Sequence, residues 1–146
     1  PAIVGMGVAL QMAEAQRTTS VAASLALRER LIAGIGERVA DAQLNGDPDR
    51  RLPNNVNFTF AGVEAEPLLM GLDLAGIAAS SGSACTAASI EPSHVLRAMG
   101  YSDEAARSTL RLTVGPENTN GEVDYVVDTI AELVPKLRKL AAPRRR

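Results

Sequence analysis

The hydrophobic period changes within one stretch near the end of the chain, and that change constrains the fold most. From Thr109 to Val114 the residues alternate: Leu110, Leu112 and Val114 face one way, Thr109, Arg111 and Thr113 the other. Thr119-x-x-Glu122 then forms a capping box. Beyond it Val123, Val126, Val127, Ile130, Leu133, Val134 and Leu137 recur at spacings of three and four. The spacing predicts a strand followed by a long helix with one apolar stripe. A second alternating run, Val56, Phe58 and Phe60 against Asn57 and Thr59, predicts another half-buried strand with the two polar residues on its wet face.

The other segments read as helices and turns. Ala2 to Gln16 and Ser20 to Ala40 are helical, joined through Arg17-Thr18-Thr19 by a continuation or a kink. Val21, Leu25, Ile32 and Ile35 form the stripe of the second stretch, with Leu27 and Leu31 at its edge. Leu44-Asn-Gly-Asp-Pro48 is turn chemistry. Glu66 to Leu74 is a short helix, and Ile77 to Ala79 a short buried strand. Glu91-Pro92 opens a helix ending at Gly100, and Ser102 with Asp103 and Glu104 starts another. Short strands among helices give an α/β or α+β class, a small sheet packed against helices.

The 146 residues suit one domain, and a hydrophobic share of 46% is enough for a core. A net charge of −2 supplies no field for nucleic acid. One cysteine and one histidine cannot make a disulfide framework or a usual zinc site. No apolar run reaches the roughly 20 residues of a membrane span. There is no P-loop, and Gly5-Met-Gly7 is no dinucleotide fingerprint. The opening Pro1 to Leu10 lacks the basic start of a signal peptide, yet Ile3, Val4, Met6, Val8, Leu10 and Met12 are too apolar for an exposed arm. The expectation is a piece of a longer protein. Ala141 to Arg146 reads as a solvated tail.

Two side chains are candidates for chemistry. Cys85 lies in Ser80-Ser-Gly-Ser-Ala-Cys-Thr-Ala-Ala-Ser89, a run of small residues without periodicity that reads as a loop. A core cysteine usually has large apolar neighbours, so Cys85 is either a functional thiol on a bendable loop or a bland structural one. A free thiol is mostly protonated at neutral pH, so a nucleophilic role needs a neighbour that takes its proton or lowers its pKa. His94, nine residues on, is conceivable as that neighbour, though a surface or capping histidine is the simpler account. Arg111 sits on the polar side of its strand, either solvated or aimed into a cleft, and a guanidinium suits bidentate carboxylate recognition.

Four segments in order, Leu52-Pro-Asn-Asn-Val-Asn-Phe58, Ser80-Ser-Gly-Ser-Ala-Cys-Thr86, Glu91-Pro-Ser-His-Val-Leu-Arg-Ala-Met-Gly100 and Leu110-Arg-Leu-Thr-Val-Gly115, resemble the C-terminal part of cysteine desulfurases. These are pyridoxal-phosphate enzymes of the class V aminotransferase group. The resemblance implies the C-terminal small domain of the fold-type I pyridoxal-phosphate transferases, with residues 1–20 the helix leading in from a large domain. It also implies a role for each candidate. Cys85 attacks the sulfur of L-cysteine, giving an enzyme persulfide and L-alanine, and Arg111 binds the substrate carboxylate. His94 has no catalytic part. Pro116 stands where family members often carry a basic residue, but it touches neither role. The resemblance further implies a homodimeric cytoplasmic parent, a sulfur-acceptor or iron–sulfur scaffold partner, and no nucleic-acid or membrane partner.

The two lysines, Lys136 and Lys139, lie on the final helix, and neither matches the family's cofactor lysine. The parent would hold pyridoxal phosphate; this piece alone is expected to hold none and to be inactive. Other class V aminotransferases and selenocysteine lyase are the alternatives, followed by a non-enzymatic module with a structural or redox cysteine.

Overall fold

A computed structural model describes residues 1–81 and 92–141. Helix α1 runs unbroken over Ala2–Arg38, so Arg17-Thr18-Thr19 is a helix continuation and not a kink. At about 1.5 Å per residue it is roughly 55 Å long. It ends where Val39 turns extended, and Asp41 takes the left-handed conformation that swings the chain into the sheet.

Strands β1 (Ala42–Leu44), β2 (Asn55–Phe60) and β3 (Thr109–Thr113) form an antiparallel sheet in the order β1-β2-β3. Helix α2 (Ala65–Leu74) follows β2, the short α3 (His94–Ala98) and α4 (Asp103–Arg107) precede β3, and α5 (Asn120–Ala141) closes the described chain. The capping box forms as expected: Thr119 N–H donates to Glu122 Oε2 at 2.7 Å, and Glu122 N–H donates to Thr119 Oγ1 at 3.2 Å. Ser102 caps α4 by accepting from Ala105 N–H at 3.1 Å.

The apolar side of the sheet is the core. Val56, Phe60 and Leu110 are at most 1% exposed, as are Ile35 of α1, Leu68 and Leu72 of α2, and Ile130 and Val134 of α5. The Phe58 and Phe60 rings lie 6.0 Å apart at an interplanar angle of 28°. Helices α1 and α5 approach closely at Gly34, where an added Cβ would meet Val127 Cγ2 at 2.8 Å. Ion pairs Arg30–Asp124 and Arg38–Asp128 run along the outside of this contact.

Several expectations need correction. The buried face of α1 is Ser24, Leu27, Arg28, Leu31 and Ile35, so Leu27 and Leu31 are its centre rather than its edge, and Val21 and Leu25 of the expected stripe are exposed. Leu44 belongs to β1 rather than to a turn, and the chain first bends at Gly46. Ile77 to Ala79 is not a buried strand: Ile77 and Ala79 are half-buried and Ala78 is exposed, and only the next residue, Ser80, bridges to β3. Thr59 is not on a wet face. It is 7% exposed, and its Oγ1 donates to Asn45 Oδ1 at 3.0 Å.

The helix expected from Glu91 is shorter than its pattern; α3 starts at His94, with Ser93 at the N-cap position. The expected loop after Ser81 and the arginine tail after Ala141 lie outside the described residues.

The first half of α1 differs from the second. Residues 1–19 are exposed, with Ile3 at 84%, whereas Leu27, Leu31 and Ile35 are buried.

Candidate functional site

The polar side of the sheet holds a row of residues set by strand register. Asn57 pairs with Arg111 across β2 and β3. Arg111 and Ser80 exchange both backbone bonds on the outer edge of β3, Arg111 N–H to Ser80 O at 2.7 Å and Ser80 N–H to Arg111 O at 3.1 Å. On the other edge of β2, Asn45 N–H donates to Asn57 O at 2.8 Å. Backbone groups of Asn57 and Arg111 thus point away from each other. They form the narrow, non-hydrogen-bonded kind of pair, in which the two side chains stand closest.

The side chains of this row are tied from one end. Asn45 is 2% exposed. Its Nδ2 donates to Asn57 Oδ1 at 2.6 Å, its Oδ1 accepts the Thr59 hydroxyl, and its carbonyl accepts from Arg51 Nη2 at 2.5 Å. At the far end of the strand Thr109, fully buried, donates to Ala106 O at 2.9 Å, so α4 closes that part of the face. Arg111 lies beside this closed part, two residues along β3 from Thr109, with the exposed Thr113 on its other side.

Arg111 differs from the other arginines near the core. Arg28, 4% exposed, donates to Glu29 and to the carbonyls of Arg51 and Leu52. Arg138 ties the carbonyls of Ala61 and Ala40, each at 2.8 Å. Arg51 is held below the usual arginine pKa, first by burial and then by the Arg28 charge, and its Nε and Nη1 are buried without partners. Arg111 is half-buried, and its guanidinium is engaged by no hydrogen bond or ion pair among the described residues.

Cys85, the other predicted site residue, lies outside the described residues, four positions after Ser81. His94 begins α3 on an exposed position. Lys136 pairs with Glu132 at 3.3 Å, and Lys139 is exposed; both belong to the helix that covers the apolar face, across the sheet from the Arg111 side chain. An open cavity of about 350 Å³ beside β3 and α5 has Glu122 as its titratable carboxylate. That group is committed to the capping box, whose bonds hold it below the usual carboxylate pKa, the Thr119 N–H foremost. Among the described residues no three His, Cys, Asp or Glu side chains group as metal ligands, and no helix is long and apolar enough to cross a membrane. Asn45 was not a sequence candidate. Its place in an Asn-Gly turn accounts for it locally, and only the register shows what its amide holds.

Comparison with known families decides what this arrangement belongs to. The family model described as aminotransferase class V matches residues 1–126. The chain belongs to the class V aminotransferase family. Among similar proteins, "Cysteine desulfurase IscS" of Clostridium botulinum is 44% identical over 141 residues, covering 95% of this chain and 36% of the relative. A protein of the same name from Vibrio vulnificus is 47% identical over 139 residues, covering 95% and 34%. The solved structure of a NifS-like protein from Rickettsia africae is 26% identical, covers 92% of this chain and 34% of that one, and has a TM-score of 0.80. This chain therefore spans about a third of the length of the curated relatives it matches.

Class V aminotransferases imply pyridoxal phosphate, held as a Schiff base on a lysine. Both lysines of this chain lie on α5, which packs on the apolar face of the sheet, so neither shares the face of Arg111.

Proposed function

We propose that this chain is the C-terminal small domain of a cysteine desulfurase, with residues 1–20 leading in from a larger domain. In the whole protein, Arg111 binds the carboxylate of L-cysteine. The Cys85 thiolate attacks the substrate sulfur; the new S–S bond forms as the substrate C–S bond breaks. A persulfide stays on Cys85 and L-alanine leaves. The persulfide sulfur then passes to an acceptor protein such as an iron–sulfur scaffold. Pyridoxal phosphate and its lysine come from polypeptide outside this chain. The parent is a cytoplasmic homodimer.

The observation that carries the reading is the unengaged guanidinium of the half-buried Arg111, beside the backbone from which the Cys85 segment departs. Five residues of chain from Ser80 allow at most about 18 Å, so the thiol is tethered within reach of whatever Arg111 holds. The exposed apolar side chains Ile3, Val4, Met6, Val8, Leu10 and Met12 support the domain assignment, since so large an exposed apolar patch is normally covered.

The test uses the full-length protein. Cys85→Ser should abolish alanine release and persulfide formation while pyridoxal absorbance remains; full alanine release by that variant would overturn the proposal. The 146-residue chain incubated with pyridoxal phosphate should show no Schiff-base absorbance, and a stoichiometric band would sink the assignment of the lysine elsewhere.

A further inference from the structure

We infer that Asn57 is a second ligand of the substrate carboxylate, and that Asn45 orients it. The inference rests on the proposed role of Arg111 and adds a specificity determinant to the same site. Its basis is the narrow pairing of Asn57 with Arg111, which places the two side chains next to each other on the polar face. One is a planar cation with free donors. The other is an amide whose orientation is fixed by a relay: the Thr59 hydroxyl donates to Asn45 Oδ1, and Asn45 Nδ2 donates to Asn57 Oδ1 at 2.6 Å. With its oxygen committed to Asn45, Asn57 presents Nδ2 as an outward donor, and that nitrogen donates to no other described residue. Free donors on both side chains of one row make a cradle for an anion with two oxygens. A carboxylate on the Arg111 fork would accept from Asn57 Nδ2 with the lone pairs the guanidinium leaves open.

The arrangement also accounts for the burial of Asn45. Asn45 is 2% exposed, and bonds through its amide nitrogen, both oxygens and its backbone N–H offset its burial and hold its amide in one orientation. Here the relay ends on the residue beside Arg111.

The experiment compares variants of the full-length pyridoxal-loaded protein with two competing ligands, L-alanine, which has the carboxylate, and ethylamine, which lacks it. Asn57→Ala should weaken L-alanine on the order of tenfold, as expected for one charge-assisted hydrogen bond, and leave ethylamine within about twofold. Asn57→Asp keeps an oxygen for Asn45 Nδ2 and nearly the same shape, but turns a negative oxygen toward the carboxylate. It should weaken L-alanine more than Asn57→Ala does, and raise KM for L-cysteine in step. A residue with only a structural part would tolerate the Asp better than the Ala. Equal losses for both ligands, or no loss with either variant, would overturn the inference. Arg111→Ala separates the two levels. If it weakens L-alanine while the Asn57 variants do not, only the second ligand falls; if it leaves L-alanine binding unchanged, the substrate site itself falls and the Asn57 role with it.

Discussion

The two sides of one three-stranded sheet are built from the same alternating residues and do different work. On one side Val56, Phe58, Phe60, Leu110 and Leu112 meet α1, α2 and α5 in a dry core. On the other, Asn45, Asn57, Arg111 and Ser80 lie in a row, and α4 covers only the neighbouring Thr59–Thr109 pair. The apolar side gains stability from burial and has no spare groups. The polar side keeps a guanidinium unengaged, and a group left so contributes little to folding. The difference separates residues that hold the fold from residues the fold holds in place.

The largest expected effect is on the apolar side. Phe60→Ala removes a fully buried ring that stacks on Phe58, and should cost about 3–5 kcal/mol in urea unfolding. A cost below about 1 kcal/mol would mean that this face is not the main source of stability. Asn45→Ala tests the polar side where it is closed. The variant strands the Thr59 hydroxyl and frees the Asn57 amide, so about 1–3 kcal/mol should be lost. No loss would show that the relay is not held as a unit.

Much of the apolar side was legible in the sequence, because a period of two or of 3.6 is a local property. Leu110, Leu112 and Val114, the Phe58–Phe60 alternation and the α5 stripe all face the core as their spacing predicts. Strand β1 escaped because three residues carry no period, and they abut a strong turn signal. Thr59 departs from its pattern for a different reason. Alternation says which side a residue faces, not whether another element covers that side, and here Asn45 and α4 do so. The row itself could not be read at all. It joins residues 45, 57, 80 and 111, and only the register aligns them. Cys85 and Arg111 stand out in the sequence only as types: a thiol among small residues, a cation in a strand. The structure gives Arg111 its neighbours, while Cys85 lies outside the described residues.

A smaller effect concerns pH. The Glu122 carboxyl is lowered by the Thr119 N–H, then by Asn118 and the Thr119 hydroxyl. A depressed carboxylate adds stability that is fully present above its ordinary pKa and is lost as pH falls through the folded value. Glu122→Gln preserves an oxygen acceptor for the cap but cannot titrate. The variant should show a flatter acid limb in a plot of stability against pH, with little change near neutrality. An acid limb unchanged from the parent chain would assign that limb elsewhere, with Asp124 the next candidate because its bonds to Arg30 lower it in the same sense.

The smallest expected effect is the most pointed one. Arg111→Leu removes a charge that engages no described partner, while Arg111's backbone bonds to Ser80 do not depend on its side chain. Leucine fits a strand and is half-buried there at no polar cost, so unfolding free energy should stay within about 0.5 kcal/mol of the parent. Ligand binding in the full-length protein should fall all the same. A stability loss above about 1.5 kcal/mol would mean that the guanidinium holds the fold after all, and the division between the two sides of the sheet would fail at the residue that defines it.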